Sequence, residues 1–272
     1  MRISAFLMPF FTLLTGAAGY YLRLLELWNV FDTETGLPRR GAAITYVLIG
    51  LTAVFLTVTF VFALRTRLRF ISPRGFENAF GAEAIAYPAV FFLIGAIWLG
   101  ATVMFFLNIN AQGNVQFAEV CFSVLSALSA ISVSLFAAEV YHSPHRKSKL
   151  VLSIVPTFFT CFWLIRVYSQ NASNPILLSY CYQCLAIISA TLGFYFTSGF
   201  AYNRSALGKT IFAYCAAIYF CFVTLADEHT TGIKLIFFTI IVINAIYLSM
   251  LIRNMQRKDY ISEQINSTSF ES

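Results

Sequence analysis

Eight continuous apolar runs follow one another along the chain, at roughly 4–27, 42–64, 84–107, 117–138, 150–168, 176–200, 208–226 and 232–252. Each is near the ~20 residues that an α-helix needs to cross about 30 Å of hydrocarbon. Water is absent at that depth, so every backbone N–H and C=O must be satisfied within the protein, which leaves helices or closed barrels. A barrel strand alternates polar and apolar over about ten residues, and these runs do not alternate. The expected fold is therefore all-α, a polytopic transmembrane helical bundle of about eight spans. Residues 1–252 form a single transmembrane domain, and 253–272 a polar cytoplasmic tail.

Composition supports the same reading. Only 11% of the 272 residues are charged and 59% are hydrophobic, with 29 phenylalanines. Soluble domains carry about 25% charged residues, and so few charges could not cover a water-soluble surface of this size. The net charge of +6 does not gather into a nucleic-acid patch. It is scattered among short loops, where positive charge sets topology and attracts anionic lipid.

Lys and Arg give the orientation. With the N-terminus inside, thirteen of the 18 basic residues fall at inner positions, among them Arg65, Arg67, Arg69, Arg74, Arg204 and Lys209. The outer loops hold only Arg39 and Arg40, and the bias alternates at every hairpin, which places both termini in the cytoplasm. Arg2 and the small residues Gly16, Ala17 and Ala18 imitate a signal peptide. The apolar run continues through Leu22, so the segment is expected to be an uncleaved first helix.

No span carries an ionisable residue near its middle. Charge at mid-bilayer costs about 2.5–3.5 kcal/mol on insertion scales and marks ion- and proton-coupled carriers, so its absence argues against that class. The charges that do enter spans lie towards the outer face. Arg23 and Glu26 are three apart on one helix face, Glu119 opens the fourth span, Arg166 closes the fifth, and Asp227, Glu228, His229 and Lys234 flank the last outer turn. Arg23, Glu26, Glu119, Arg166 and Asp227 are the candidate ligand-binding residues. If they converge, an arginine could hold a carboxylate or phosphate. If they do not, they are interfacial ion pairs.

Two spans carry small residues every fourth position: Ser126, Ala130, Ser134 and Ala138, then Ser189, Gly193, Thr197 and Ala201. Such stripes let helix backbones approach closely. Their spacing, with Asn110–Asn114 matching Gln170–Asn174, hints at a duplicated hairpin, a feature of many transporters.

Other motifs carry little chemistry. Asp32 and Glu34 lie in a Gly36/Pro38 turn without the further acids of an EF-hand. Cys181 and Cys184 form a C-x-x-C with no second cysteine pair in the outer loops to exchange with. Glu139, His142 and His145 recur every third residue, but Pro144 interrupts them and Arg146 and Lys147 crowd them. Asn171, Asn203 and Asn266 begin glycosylation sequons. No metalloprotease, Walker A or nucleophile-elbow motif occurs. No catalytic residue, metal or cofactor is assigned, and the reading leans away from an enzyme.

Residues 156–202, with PTFFTCFWLIRVYSQNASNPILLSYCYQ and GFYFTSGFAYN, resemble uncharacterised polytopic membrane proteins of anaerobic Gram-positive (Clostridia-type) bacteria, as does FDTETGLP in the first loop. The resemblance implies a bacterial plasma membrane and no particular activity.

Two functions follow from these features. The leading one is binding or transport of a small polar or amphipathic molecule from the outer face. Its rival is a non-transporting sensor or accessory subunit that works through a partner protein. The lipid bilayer is a partner in both, and nucleic acid in neither. A polar cavity reaching mid-bilayer would favour transport, whereas an apolar plug under a shallow outer pocket would favour the rival.

Overall fold

A computed structural model describes residues 4–30, 41–73, 75–81, 86–113, 116–142, 148–173 and 176–257. The helices are α1 (Ser4–Asn29), α2 (Ala43–Arg69), α3 (Phe76–Phe80), α4 (Ala86–Ala111), α5 (Phe117–His142), α6 (Ser148–Asn171), α7 (Leu177–Ala201), α8 (Leu207–Thr224) and α9 (Thr231–Asn254). All eight apolar runs became long helices, and the chain is an all-α bundle. Two features were not foreseen. One is the single-turn α3. The other is an antiparallel pairing of β1 (Phe70–Ile71) with β2 (Gln256–Arg257). Within 253–272, α9 continues to Asn254, and 256–257 pair with Phe70 and Ile71 just after α2. Residues 258–272, Asp32, Glu34 and His145 lie outside the described residues.

Seven of the helices, α2 and α4–α9, are long and apolar enough to cross a membrane. α1 has the length of a span but is not among the seven, and its far end bears Arg23 and Glu26.

The long helices from α4 onward make a closed ring. Each packs on the next, and α9 returns to α4. α1 and α2 lie together against α8, with α1 also reaching α9. α8 is therefore covered on both sides, and 83% of its apolar stretch is buried. α2, at the edge, is only 22% buried. Its outward side chains, such as Val54, Phe60 and Leu68, are the exposed large hydrophobics expected of a lipid-facing surface.

Aromatic side chains fill the ring. Trp98 and Trp163 are fully buried. Trp163 packs on Phe237 (centroids 4.6 Å), Phe122 (5.6 Å) and Phe159 (5.6 Å), and Trp98 on Phe159 (5.8 Å) and Phe194 (6.4 Å). Nearer the α3 end, Tyr247 meets Phe91 (5.3 Å) and Phe80 (5.1 Å), and Phe76 meets Phe136 (4.4 Å). α3 thus inserts two phenylalanines under the ring. Stacked and edge-to-face contacts of this kind add about 0.5–1.5 kcal/mol each beyond area burial.

The small-residue stripes serve helix packing. Ser126 accepts from Trp98 Nε1 at 3.0 Å and bonds Thr102 at 2.7 Å, tying α5 to α4. On α7, Thr197 bonds Tyr214 of α8 at 2.6 Å. A Cβ on Gly193 would sit 2.7 Å from Asn244 Oδ1 of α9. The first stripe faces backwards in the chain and the second forwards, so the matching positions of the two hairpins meet non-equivalent partners.

Candidate functional site

The helix ends sort into two sets. One end of the bundle gathers the far ends of α1 and α6, the starts of α5 and α7, and the α8–α9 turn. All five candidate residues lie there, but in two clusters.

The first cluster centres on Arg23, which has no exposed surface. Its Nη1 bonds Glu26 Oε2 at 2.7 Å, its Nε bonds Asp227 Oδ1 at 2.8 Å, and its Nη2 donates to the Leu178 carbonyl at 3.1 Å. Its guanidinium also lies over Tyr182, 5.1 Å from the ring centroid. The local reason is simple. Arg23 and Glu26 are one turn apart on α1 and share a face. Gly16 and Gly19 let α1 approach α8, since a Cβ at either would meet Phe222 or Val223 within 2.8 Å. The α8–α9 turn then delivers Asp227.

The second cluster pairs Arg166 with Glu119. Arg166 Nη2 lies 2.7 Å from Glu119 Oε2 and 2.9 Å from Oε1, and Gln170 Nε2 donates to Oε1 at 3.2 Å. Arg166 is sandwiched by Phe122 (4.8 Å) and Phe105 (5.3 Å), a cation–π arrangement on its flanks. Here α5 begins as α6 ends, so residues 47 apart in sequence meet across one helix contact.

The expectation that Arg23, Glu26, Glu119 and Arg166 all meet required α1 to pack near α5 or α6. α1 packs instead on α8, α2 and α9, and the charges separate. Between the clusters runs an aromatic wall: His229 on Phe237 (6.0 Å), Phe237 on Trp163, Trp163 on Phe122.

Arg23 is saturated by two carboxylates and a carbonyl, so an anionic ligand would have to displace a buried partner. Among the described residues the unmet valence at this end is of both kinds. Glu26 Oε1 and Asp227 Oδ2 are buried and accept no hydrogen bond, and His229 Nε2 and Thr230 Oγ1 are also unpartnered. The unpartnered donors are Trp163 Nε1 and Arg166 Nε. Buried polar groups normally find partners; the clear acceptors among these, Glu26 Oε1 and Asp227 Oδ2, both belong to the Arg23 cluster.

Burial raises the Asp227 carboxyl above its ordinary pKa, although Arg23 pulls it down. His229 is pushed down to about 4 by burial and by the cations Lys234 and Arg23, so it is neutral at physiological pH.

Sequence reasoning did not find Gln170 or Trp163 as members of this region. Gln170 sits in a loop-like stretch and Trp163 in an apolar run, and neither carries a pattern that marks it. All six cysteines are free thiols.

No family model, curated protein or solved structure matches this chain.

Proposed function

We propose that this chain is an eight-span protein of a bacterial plasma membrane, with both ends in the cytoplasm. In this reading it binds a small polar or amphipathic molecule at the outer face and works through a partner protein, rather than carrying the molecule across. The observation that supports it best is the aromatic filling of the six-helix ring beneath the two charge clusters. Transport, one half of the leading reading from sequence (binding or transport), needs a polar path towards mid-bilayer. The ring interior is instead occupied by Trp98, Phe159, Trp163 and Phe237, all fully buried. The orientation follows the positive-inside bias, and makes the Arg23 end the outer one.

The preferred ligand follows from the orphaned atoms. Glu26 Oε1 and Asp227 Oδ2 are buried carboxylate acceptors, and charge-assisted bonds to them are the strongest on offer. A small amine satisfies them; a carboxylate or phosphate does not.

Thermal unfolding of the purified protein in detergent tests the ligand class, with methylammonium, putrescine, acetate and phosphate as probes. An amine should raise the midpoint, and Glu26→Gln should abolish the rise. Stabilisation by acetate or phosphate alone would overturn the amine assignment. Uptake of labelled putrescine into proteoliposomes tests the mechanism. Uptake should equal that of empty liposomes; uptake abolished by Glu26→Gln would make the protein a carrier.

A further inference from the structure

The opposite end of the bundle holds a second, differently built site. Gly208 begins α8, and a Cβ there would lie 2.9 Å from the Ala63 carbonyl and 3.2 Å from Arg67 Cβ. Glycine therefore lets the start of α8 press against the basic end of α2. The contact leaves a cavity of about 450 Å³ whose polar lining is Arg67, Ser72, Ser205 and Lys209. Phe70 and Ile71 close one wall, held by their pairing with 256–257.

The cavity is chemically unsatisfied. Among the described residues, Arg67 and Lys209 have no carboxylate partner. The Ser72 hydroxyl is buried without a hydrogen bond. The α8 N-cap is Ala206, which offers no side-chain cap to the first-turn N–H groups, and Ala206, Leu207, Gly208 and Lys209 all line the cavity. Two cations, a hydroxyl and a helix N-terminus form a phosphate-binding combination.

The same cations border an apolar groove. A second cavity of about 400 Å³ shares Arg67, Gly208 and Lys209 with the first. It continues along the bundle between Phe60, Leu64, Leu192, Phe196 and Phe212. Phe60 and Phe212 make an edge-to-face pair within it, 5.9 Å apart. A free phosphate has no use for this groove. A molecule with an anionic head and a hydrocarbon tail matches both parts and their order.

We propose that the Arg67–Ser72–Lys209 cavity and the Phe60–Phe212 groove together hold one anionic phospholipid, phosphate in the cavity and an acyl chain in the groove. The positive-inside bias makes this a lipid of the cytoplasmic leaflet, where anionic headgroups attract Lys and Arg. The site is distinct from the Arg23 end and independent of the function proposed there.

Native mass spectrometry of the full chain, with phosphatidylglycerol and phosphatidylcholine as competing probes, tests the assignment. The expected result is one phosphatidylglycerol retained in preference to phosphatidylcholine. Each of Arg67→Gln and Lys209→Gln should weaken retention roughly fivefold. Leu192→Trp, which fills the groove, should weaken it while leaving both cations in place. Unfolding midpoints without added lipid should be unchanged in the charge variants, which separates lost binding from lost folding. Equal retention of both lipids, or full retention by the double Gln variant, would overturn the proposal. Displacement by inorganic phosphate as effective as by phosphatidylglycerol would also overturn it, by showing a free-anion site.

Discussion

At one end of the bundle Arg23 is enclosed, with two carboxylates and a carbonyl on its guanidinium. At the other, Arg67 and Lys209 are exposed beside an open cavity, without a counter-ion among the described residues. The bundle therefore handles charge in two ways. At that end, where charge is costly, Arg23 and Arg166 each have a specific acid, and the fit between helices depends on it. At the exposed helix ends, where water or headgroups supply the counter-charge, Arg67 and Lys209 are left to meet something else. Buried pairs make structure, and free ones make contact with the surroundings.

The largest expected effect breaks the enclosed side. Arg23→Ala leaves Glu26 and Asp227 buried together without their cation. Removing one partner of a buried pair costs about 3–5 kcal/mol, which a marginally stable protein barely survives. The unfolding midpoint should collapse or the protein fail to accumulate. Adding Glu26→Gln and Asp227→Asn should recover much of the loss, because no uncompensated charge remains. A single variant as stable as the parent would remove the structural role assigned to Arg23. Arg166→Lys should be milder than Arg166→Ala, since a single nitrogen, Nη2, reaches both Glu119 oxygens and no two-nitrogen fork is lost.

A smaller effect comes from His229, in the same region but outside the helices. Its folded pKa is about 4, below the ordinary 6.5. The unfolded chain therefore takes up a proton first as pH falls. The stability that neutral His229 contributes is complete above about pH 6.5 and is lost as pH drops towards 4. The loss is no more than about 3 kcal/mol for a shift of this size. Asp227 acts with the opposite sign, because its raised carboxyl favours the folded state at low pH. His229→Gln isolates the histidine: its midpoint should fall less than the parent's between pH 6.5 and 4. Parallel pH curves for the two would show that His229 is not buried neutral.

Much of this molecule is readable from its residues, and the unreadable part has a clear cause. Span lengths follow from bilayer thickness, so all eight apolar runs match helices to within a few residues. The positions of Arg23, Glu26, Glu119, Arg166 and Asp227 near one end also follow, because charge is excluded from the middle. Two near pairings were accessible as well: Arg23 with Glu26 by helical spacing, and Glu119 with Arg166 across one helix contact. Which helices are neighbours is not encoded in hydropathy. Every lipid-exposed face looks alike, and α1 could have joined either side of the ring. Its place against α8 depends on Gly16 and Gly19 meeting Val223 and Phe222, a fit of shape rather than a pattern. For the same reason α3 was missed: five residues reading Phe-Glu-Asn-Ala-Phe show no period.

Glycines compare the two ends at smaller scale. A Cβ on Gly232 would lie 2.6 Å from the Ala101 carbonyl and 2.8 Å from the Phe105 nitrogen, both backbone. At Gly208 the closest backbone atom is 2.9 Å away. Gly232→Ala must push α9 from α4 and disturb Phe105 beside Arg166, for about 1–3 kcal/mol. Gly208→Ala should cost less in stability yet weaken lipid retention, because it moves α8 from Arg67. A larger stability loss at Gly208 than at Gly232 would reverse the comparison.

The smallest effect belongs to the open cations. Arg67→Gln with Lys209→Gln removes two charges that hold nothing within the described protein. Substitutions of this kind usually stay within about 0.5 kcal/mol. In detergent without anionic lipid, the double variant should therefore unfold at the parent's midpoint, or slightly above it, because the two like charges no longer repel. In bilayers containing phosphatidylglycerol the parent alone should gain stability, by mass action from a ligand that binds only the folded state. The difference between the two media is the informative quantity. If the double variant is destabilised equally in both, Arg67 and Lys209 hold the protein itself together, and the two ends of the bundle use charge in the same way.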